Sequence, residues 1–233
     1  MKTKVATKLS SRAVLGVLFA WTVCSWLHVA PAAEGDAAQA KPEAAGQDAK
    51  VIKLFDGKTL EGWQVLDKID FEKHGEVSVK DGELILKQGQ PMTGVRWKGE
   101  FPKLDYEITL EARRIDGFDF FCGVTFPVGK SHCSLVLGGW GGSLTGLSCL
   151  DGFDASENET TGSMDFKQNR WYKIRVRVTE KKIEVWVDDD QIVDVEHKDR
   201  KVSLRWEMDS MPPFGIATYA TTGGVRNLVV KRL

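Results

Sequence analysis

A single tryptophan between two glycine pairs is the residue best suited to bind a flat ligand. Trp140 is the centre of the run GGWGG at residues 138–142, between segments 131–137 and 144–150 that read as β-strands. Glycine leaves the indole uncovered and allows the positive φ of a tight turn. Exposed indoles stack on sugar faces much as they do on cations. The run therefore predicts a sugar-binding platform, the alternative being a hairpin corner whose tryptophan folds onto the core.

Strand parity gathers further polar groups on one face. A simple hairpin between predicted strands 118–126 and 131–137 would place Thr125 opposite His132. In a third predicted strand, 202–207, the polar residues would all lie on one face. Such a face fits a polar ligand groove, and it fits an ordinary solvated sheet face equally well. The polar and aromatic residues predicted on this face are Asp119, Phe121, His132, Ser134, Arg205 and Glu207.

Alternation of apolar and polar residues predicts an all-β domain. Segments 106–113 and 171–178 each place apolar residues on one side and charged residues on the other, and Asp81-Gly82 is a hairpin signal. About a dozen short strands of this kind indicate an antiparallel two-sheet jelly-roll sandwich of the concanavalin A type. An odd number of cysteines in this region leaves at least one thiol free. Cys122, Cys133 and Cys149 are predicted to be buried free thiols, the alternative being a Cys133–Cys149 bridge if the glycine-rich turn shifts register by one.

The first fifty residues read as an export signal and a tether. Residues 1–33 combine a basic start, an apolar stretch and a small-residue cleavage site, which is typical of a signal peptide. Residues 34–50 predict a flexible linker, and 51–233 a single domain. The protein is thus expected to be periplasmic or extracellular, without a stable membrane anchor after processing. A net charge of −1 and the absence of a basic motif argue against nucleic acid as a partner.

The domain resembles the bacterial 3-keto-glycoside lyase/hydratase family, also called 3-keto-disaccharide hydrolases. The resemblance rests on the opening LFDGKTLEGW at 54–63, the meander 171–195 and the ending 215–228. It implies an exported concanavalin/laminin-G-like jelly roll that acts on sugars. Two departures stand out. The family's frequent Gln-Asp-His-Gly run corresponds to Ala217–Ala220 here, and a frequent glutamate corresponds to the stretch around His132.

The resemblance also implies a reaction. A ketone at C3 acidifies the C2 proton, so a base can remove it and expel the C1 substituent, after which water adds to the glucal. His132 is the candidate base, Arg205 the group that holds the ketone or enolate oxygen, and Glu207 the acid or second base. The candidate substrate-binding residues are Trp140, Asp119, Asp154, Glu157, Asn158 and Tyr219.

Two other functions stay open. A catalytically silent carbohydrate-binding module needs only the exposed aromatic rings, and an interaction or structural sandwich needs no small ligand at all. The sequence predicts no cofactor. A divalent metal on His132, Asp119 and Glu207 is conceivable, although no spacing motif supports it.

Overall fold

A computed structural model describes residues 51–233 of the chain. The predicted signal peptide and linker lie outside the described residues. None of the helices within 51–233 is long and apolar enough to cross a membrane. The strands are β1 Val51–Lys53, β2 Trp63–Val65, β3 Val77–Lys80, β4 Glu83–Leu86, β5 Met92–Trp97, β6 Tyr106–Gly117, β7 Cys122–Val128, β8 Ser131–Gly139, β9 Leu144–Ser148, β10 Gly162–Ser163, β11 Tyr172–Val178, β12 Lys182–Val187, β13 Asp190–Glu196, β14 Gly215–Tyr219 and β15 Thr221–Arg232. Two short 3-10 helices, Ile69–Phe71 and Trp206–Met208, complete the elements of this region.

The strands form two antiparallel sheets. The first sheet runs β13-β12-β11-β6-β15-β4-β3, with β1 paired to β15. The second sheet runs β10-β9-β8-β7-β14-β5-β2. Because neighbours in the chain are often not neighbours in the sheet, the connections cross between layers, as in a jelly roll. The predicted all-β jelly-roll sandwich is confirmed.

The core lies between the sheets and follows from the alternation in the sequence. Strand β6 buries Tyr106, Ile108 and Leu110, while the residues between them face outward. Strands β7 and β8 contribute their own inward positions, such as Val124 and Leu135, to the same cluster. Burying one face of each sheet removes a large apolar area from water, which is the main stabilising term. Cys122, Cys133 and Cys149 are buried and unpaired, as predicted.

The second sheet is covered on its outer face as well. All of β7 is buried, and so is β8 from Cys133 onward. A separate apolar cluster lies on this outer side, under the two 3-10 helices and the loop around Ala155. Its members are Leu66, Phe71, Met92, Phe120, Val136, Ala155, Met208, Met211 and Ala217. The covering loops give this face depth, which an uncovered sheet face lacks.

Two sequence-based assignments of strands are wrong. Residues 202–207 do not form a strand: only Val202 makes a bridge, to Leu150, and a 3-10 helix begins at Trp206. The chain turns there because Met208 packs into the outer apolar cluster, which leaves Trp206 61% exposed. The strand expected at 118–126 begins only at Cys122, and Phe121 is fully buried in the core rather than on the polar face.

The expected hairpin register is also wrong. Thr125 lies opposite Ser134, and His132 lies opposite Pro127. The cause is the turn, which has two residues between the paired Val128 and Ser131 instead of four, with Gly129 at a φ of 62°. Two-residue hairpin turns favour glycine because they need positive φ. Parity is unchanged by this shift, so His132 and Ser134 still face outward.

Candidate active site

A cavity of about 320 Å³ opens over the outer face of the second sheet. This volume lies at the lower end of the roughly 300–1,000 Å³ range of small-molecule sites. Residues from both 3-10 helices, from four strands and from the intervening loops line it. They are Asp70, Met92, Asp119, Phe120, Ser134, Val136, Trp140, Ser148, Asp154, Arg205, Glu207, Met208 and Tyr219.

A charged cluster forms one part of this lining. The Arg205 guanidinium binds Glu207 through Nη2, at 2.8 Å from Oε1, and through Nε, at 3.2 Å from Oε2. Its Nη1 donates to Oδ2 of Asp154, 51 residues earlier in the chain. These bonds use one N–H on each of the three nitrogens, so two of the five guanidinium donors are left for a ligand. The cluster therefore offers two carboxylates and a cation to one molecule.

The electrostatics of the cluster keep its charges. Burial raises the pKa of Glu207, but hydrogen bonds from Arg205 and from its own backbone N–H outweigh burial, so the pKa is lowered. The hydrogen bond to Glu207 raises the pKa of Arg205. Glu207 is therefore a carboxylate near neutral pH, able to accept a proton but not to donate one. Of the two roles predicted for it, this charge state favours the base.

Two serines on neighbouring strands form the polar floor. Ser134 of β8 lies opposite Ser148 of β9, and both are almost fully buried. The Ser148 hydroxyl donates to Oδ1 of Asp154 at 2.8 Å, and the backbone N–H of Ala155 donates to the same oxygen at 2.6 Å. These bonds fix the Asp154 carboxylate against the sheet. The floor thus orients the charged cluster.

The glycine-rich turn is held by a buried arginine. Arg114 donates through Nη2 to the carbonyl oxygens of Gly142 at 2.7 Å, Asp119 at 3.2 Å and Gly138 at 3.3 Å. Its Nη1 donates to the carbonyl of Phe166 at 3.2 Å. A Cβ on Gly138 would lie 2.4 Å from Nη2, and the φ there is 78°, so another residue would strain the backbone and displace the guanidinium. One side chain thereby organises the whole turn.

Trp140 is carried at the tip of this turn. It lies 49% exposed and lines the cavity, with a φ of 48°. The Asp119 carboxylate accepts the N–H of Gly141 at 3.1 Å, which fixes the turn beside the indole. The alternative of a hairpin corner with a core-packed tryptophan is therefore wrong. Tyr219 is the second exposed ring of the lining, and its centroid lies 5.7 Å from that of Phe120.

Three predicted site residues lie outside the cavity lining. His132 lies two residues before Ser134 on β8, outside the lining, and burial together with the charge of Lys103 lowers its pKa. Asn158 donates to the backbone oxygens of Leu147 and Asp154, both at 2.7 Å, so it braces its own loop. Glu157 is exposed on that loop. The other six predicted residues, Asp119, Trp140, Asp154, Arg205, Glu207 and Tyr219, line the cavity together.

Sequence reasoning missed several groups that shape the site. Arg114 occupies the next inward position after the alternation of 106–113, where a charged residue signals a buried role. Ser148 and Met208 gave no signal, because their place depends on the covering loops. For metals, no cluster of three His, Cys, Asp or Glu side chains able to hold an ion exists within residues 51–233.

Comparison with known proteins identifies the family. A family model for the 3-keto-alpha-glucoside-1,2-lyase-like domain matches residues 50–231. None of the curated proteins compared with the chain matches it significantly. The predicted resemblance is therefore confirmed by the family match alone.

Solved structures show the same fold at low identity. A Crh5 transglycosylase in complex with NAG has a TM-score of 0.52 and 11% identity, covering 80% of this chain and 84% of that one. An endo-acting O-glycanase structure from the human gut microbiota has a TM-score of 0.51 and 15% identity, covering 79% and 98%. A native glycosidic hydrolase has a TM-score of 0.51 and 7% identity, covering 78% and 94%. At such identities the likeness establishes the jelly roll only.

Proposed function

The chain belongs to the 3-keto-alpha-glucoside-1,2-lyase-like domain family, and from that premise we propose that it cleaves 3-keto-glycosides by elimination across C1 and C2, with hydration of the resulting glucal. The observation that carries the proposal is the Asp154–Arg205–Glu207 cluster inside a cavity that Trp140 borders. Elimination next to a ketone needs a base, a cationic partner for the enolate oxygen and a surface that holds the glycoside. The cavity supplies one candidate for each.

Glu207 is the proposed base. Its carboxylate removes the C2 proton, and the C–H electron pair forms the enolate, whose oxygen takes the two remaining N–H donors of Arg205. The enolate then collapses, a C1–C2 double bond forms and the C1–O bond breaks. The leaving oxygen needs a proton, for which the Tyr219 hydroxyl is the donor in the lining, and the proton on Glu207 restores it. Water added across the double bond completes a net hydrolysis.

The decisive experiment follows the reaction at C2. The full chain is incubated in D₂O with 3-keto-α- and 3-keto-β-glucosides and with their unoxidised parents, and products are analysed by NMR and mass spectrometry. We expect cleavage of the keto sugars alone, with deuterium at C2 of the product, because the C2 proton exchanges with solvent. Cleavage of the unoxidised parents at equal rates would show ordinary glycosidase chemistry instead.

The proposed base has a matched control. Glu207→Gln keeps the shape of the side chain but removes the base, so turnover should fall roughly 100-fold or more. Glu157→Gln makes the same chemical change on an exposed loop outside the lining and should leave turnover unchanged. His132→Ala separates the two candidate bases: a larger loss in this variant than in Glu207→Gln would return the role of base to His132.

A second candidate function is a carbohydrate-binding module without catalysis. It is favoured by the neutralisation of Arg205 by two carboxylates, an arrangement that can hold hydroxyl groups without any chemistry. If Glu207→Gln leaves sugar binding intact, Trp140→Ala abolishes it, and no keto sugar is cleaved by the wild type, the binding module is the better account.

Export is part of the proposal as well. Its support is the basic, apolar and alanine-rich pattern of residues 1–33. Mass spectrometry of the protein from its native host should find a mature N-terminus near residue 34. Recovery of the chain in the cytoplasm with Met1 in place would contradict export.

A further inference from the structure

The cavity has two chemically different ends along strand β8. Ser134 belongs to the charged end, since it lies opposite Ser148, which donates to Asp154. Val136 is the next residue on the same face, about 7 Å further along the strand. It packs in the outer apolar cluster, which also supplies the lining residues Met92, Phe120 and Met208. Ser134 and Val136, two residues apart on β8, therefore belong to the charged end and the apolar end of the cavity.

The glycine-rich turn closes the apolar end. A Cβ on Gly139 would lie 2.8 Å from Cγ1 of Val136 and 4.0 Å from Cβ of Phe120, so this end adjoins the turn that carries Trp140. A ligand at this end would contact the Trp140 indole, the Phe120 ring and the thioether of Met92 or Met208.

The polar groups beside the apolar end are two carboxylates, of Asp119 and Asp70, and the hydroxyl of Tyr219, whose ring lies 5.7 Å from that of Phe120. Both oxygens of the Asp119 carboxylate already accept backbone donors, from Phe120 at 2.8 Å and from Gly141 at 3.1 Å. Asp70 adds one further carboxylate to the lining. A second hexose would bring several hydroxyl groups here, and each one left unpaired on burial is costly. An aromatic group has no such requirement, and thioethers and rings pack well against it.

We infer that the apolar end binds an aromatic aglycone, so that the preferred substrates are 3-keto aryl glycosides rather than 3-keto disaccharides. The sugar ring occupies the charged end, with its C1 substituent directed towards Val136 and Trp140. The turnover part of this inference rests on the proposed function, whereas the binding part does not.

The test compares a phenyl group with a glucosyl group at the same position. Calorimetric titration of the full chain with unoxidised phenyl α- and β-glucosides, and with glucosyl-glucose disaccharides of matching anomers, measures binding without turnover. We expect the phenyl ligand of the preferred anomer to bind at least about 10-fold more tightly. The kcat/KM for the corresponding 3-keto compounds should differ in the same direction. Equal or tighter binding of the disaccharide would overturn the inference.

One substitution probes the apolar end itself. Val136→Thr keeps the shape of the side chain but adds a hydroxyl to the apolar wall, so the preference for phenyl should fall about 5-fold or more. Val79→Thr makes the same change on β3 of the first sheet, away from the cavity, and should leave the preference unchanged. If Val136→Thr does not fold, Trp140→Ala replaces it, since its exposed side chain is not needed by the core.

The outcomes separate this inference from the proposed function. A preference for phenyl ligands that Val136→Thr or Trp140→Ala reduces, without any turnover of keto sugars, supports the aromatic subsite and contradicts the lyase proposal. Turnover of 3-keto disaccharides at rates equal to those of phenyl compounds supports the lyase proposal and overturns the subsite. A preference that neither variant changes also overturns it, because the apolar end would then not be its source.

Discussion

The outward-facing side chains of the two sheets are stabilised in different ways. On the first sheet the outward charged residues pair across neighbouring strands, for example Arg226 with Glu111 at 2.7 Å. Its two tryptophans are covered by guanidinium groups, with Arg175 3.8 Å above Trp186 and Arg226 4.1 Å above Trp171. The second sheet covers its outer face with loops and a second apolar cluster. The outward charges of the first sheet are neutralised within that sheet. The outer face of the second sheet is covered by segments that are distant in the sequence.

This difference explains where a site can form. Partners on adjacent strands neutralise each charge beside its own strand, so the cavity of about 270 Å³ on this face is bordered by carboxylates that are already paired, such as Glu111 and Asp188. Loops that cross a sheet bring together groups far apart in sequence, such as Asp154 and Arg205, and leave space beneath them. The candidate site therefore lies on the sheet that is covered on both faces. The predictions below compare substitutions on the two sheets.

The largest effect is expected at the shared core. Ile174→Asp on β11 places an unpaired charge in an apolar environment and should unfold the protein, at a cost above about 4 kcal/mol. The neighbouring Lys173 points to the outer face of the first sheet, so Lys173→Asp should cost about 1 kcal/mol or less. Circular dichroism and urea denaturation measure both. A folded Ile174→Asp variant would show that the core assignment is wrong.

The next effect contrasts adjacent arginines of β6. Arg114→Leu leaves the carbonyls of the glycine-rich turn without their donor and should destabilise the fold by about 3 kcal/mol. It should also weaken ligand binding, because the turn carries Trp140. Arg113→Leu removes a largely buried ion pair with Glu83 on the outer face and should cost less, about 1–2 kcal/mol, without an effect on binding. Equal losses of stability and of binding in the two variants would contradict the expected difference between the inner and outer positions of β6.

A smaller effect is expected for the tryptophans that face outward. Trp140→Ala should weaken glycoside binding by about 1–3 kcal/mol, because the indole stacks on the C1 substituent, by analogy with the stacking of bases on aromatic rings. Trp186→Ala removes an indole from the outer face of the first sheet and should leave binding unchanged. Calorimetry with the best ligand measures both. A loss of binding in the Trp186 variant alone would place the ligand on the other sheet.

The smallest effect concerns pH. The pKa of Glu207 is lowered in the folded protein, so its interactions stabilise the fold above the unfolded value of about 4.5 and are lost as the pH falls through the folded value. Unfolding free energy measured across this acidic range should therefore fall more steeply in the wild type than in Glu207→Gln, by at most about 1 kcal/mol. The pKa of Glu111 is lowered too, so Glu111→Gln should flatten the profile in the same direction. Identical pH profiles for Glu207→Gln and the wild type would contradict this.

The regular part of the molecule follows from local patterns in the amino-acid sequence. Alternation in segments such as 106–113 and 171–178 gave the strands and their buried faces, because a strand with one wet face must alternate. The glycines around Trp140 marked an exposed indole, since nothing near it in sequence could cover it. Parity was also recoverable: Ser134 faces outward in the structure despite the wrong hairpin register.

The assembly of the site depends on packing between distant segments, which no local pattern reveals. The alternating pattern of 202–207 predicts a strand, yet Met208 gains more from packing against the covered face, so the chain turns at Trp206. That turn places Arg205 between Asp154 and Glu207, a set that no spacing in the sequence marks. His132 has the chemistry of a base but lies outside the lining, because the length of one turn fixes its place along β8. Local pattern sets which face a side chain occupies, whereas packing between distant segments sets which side chains meet.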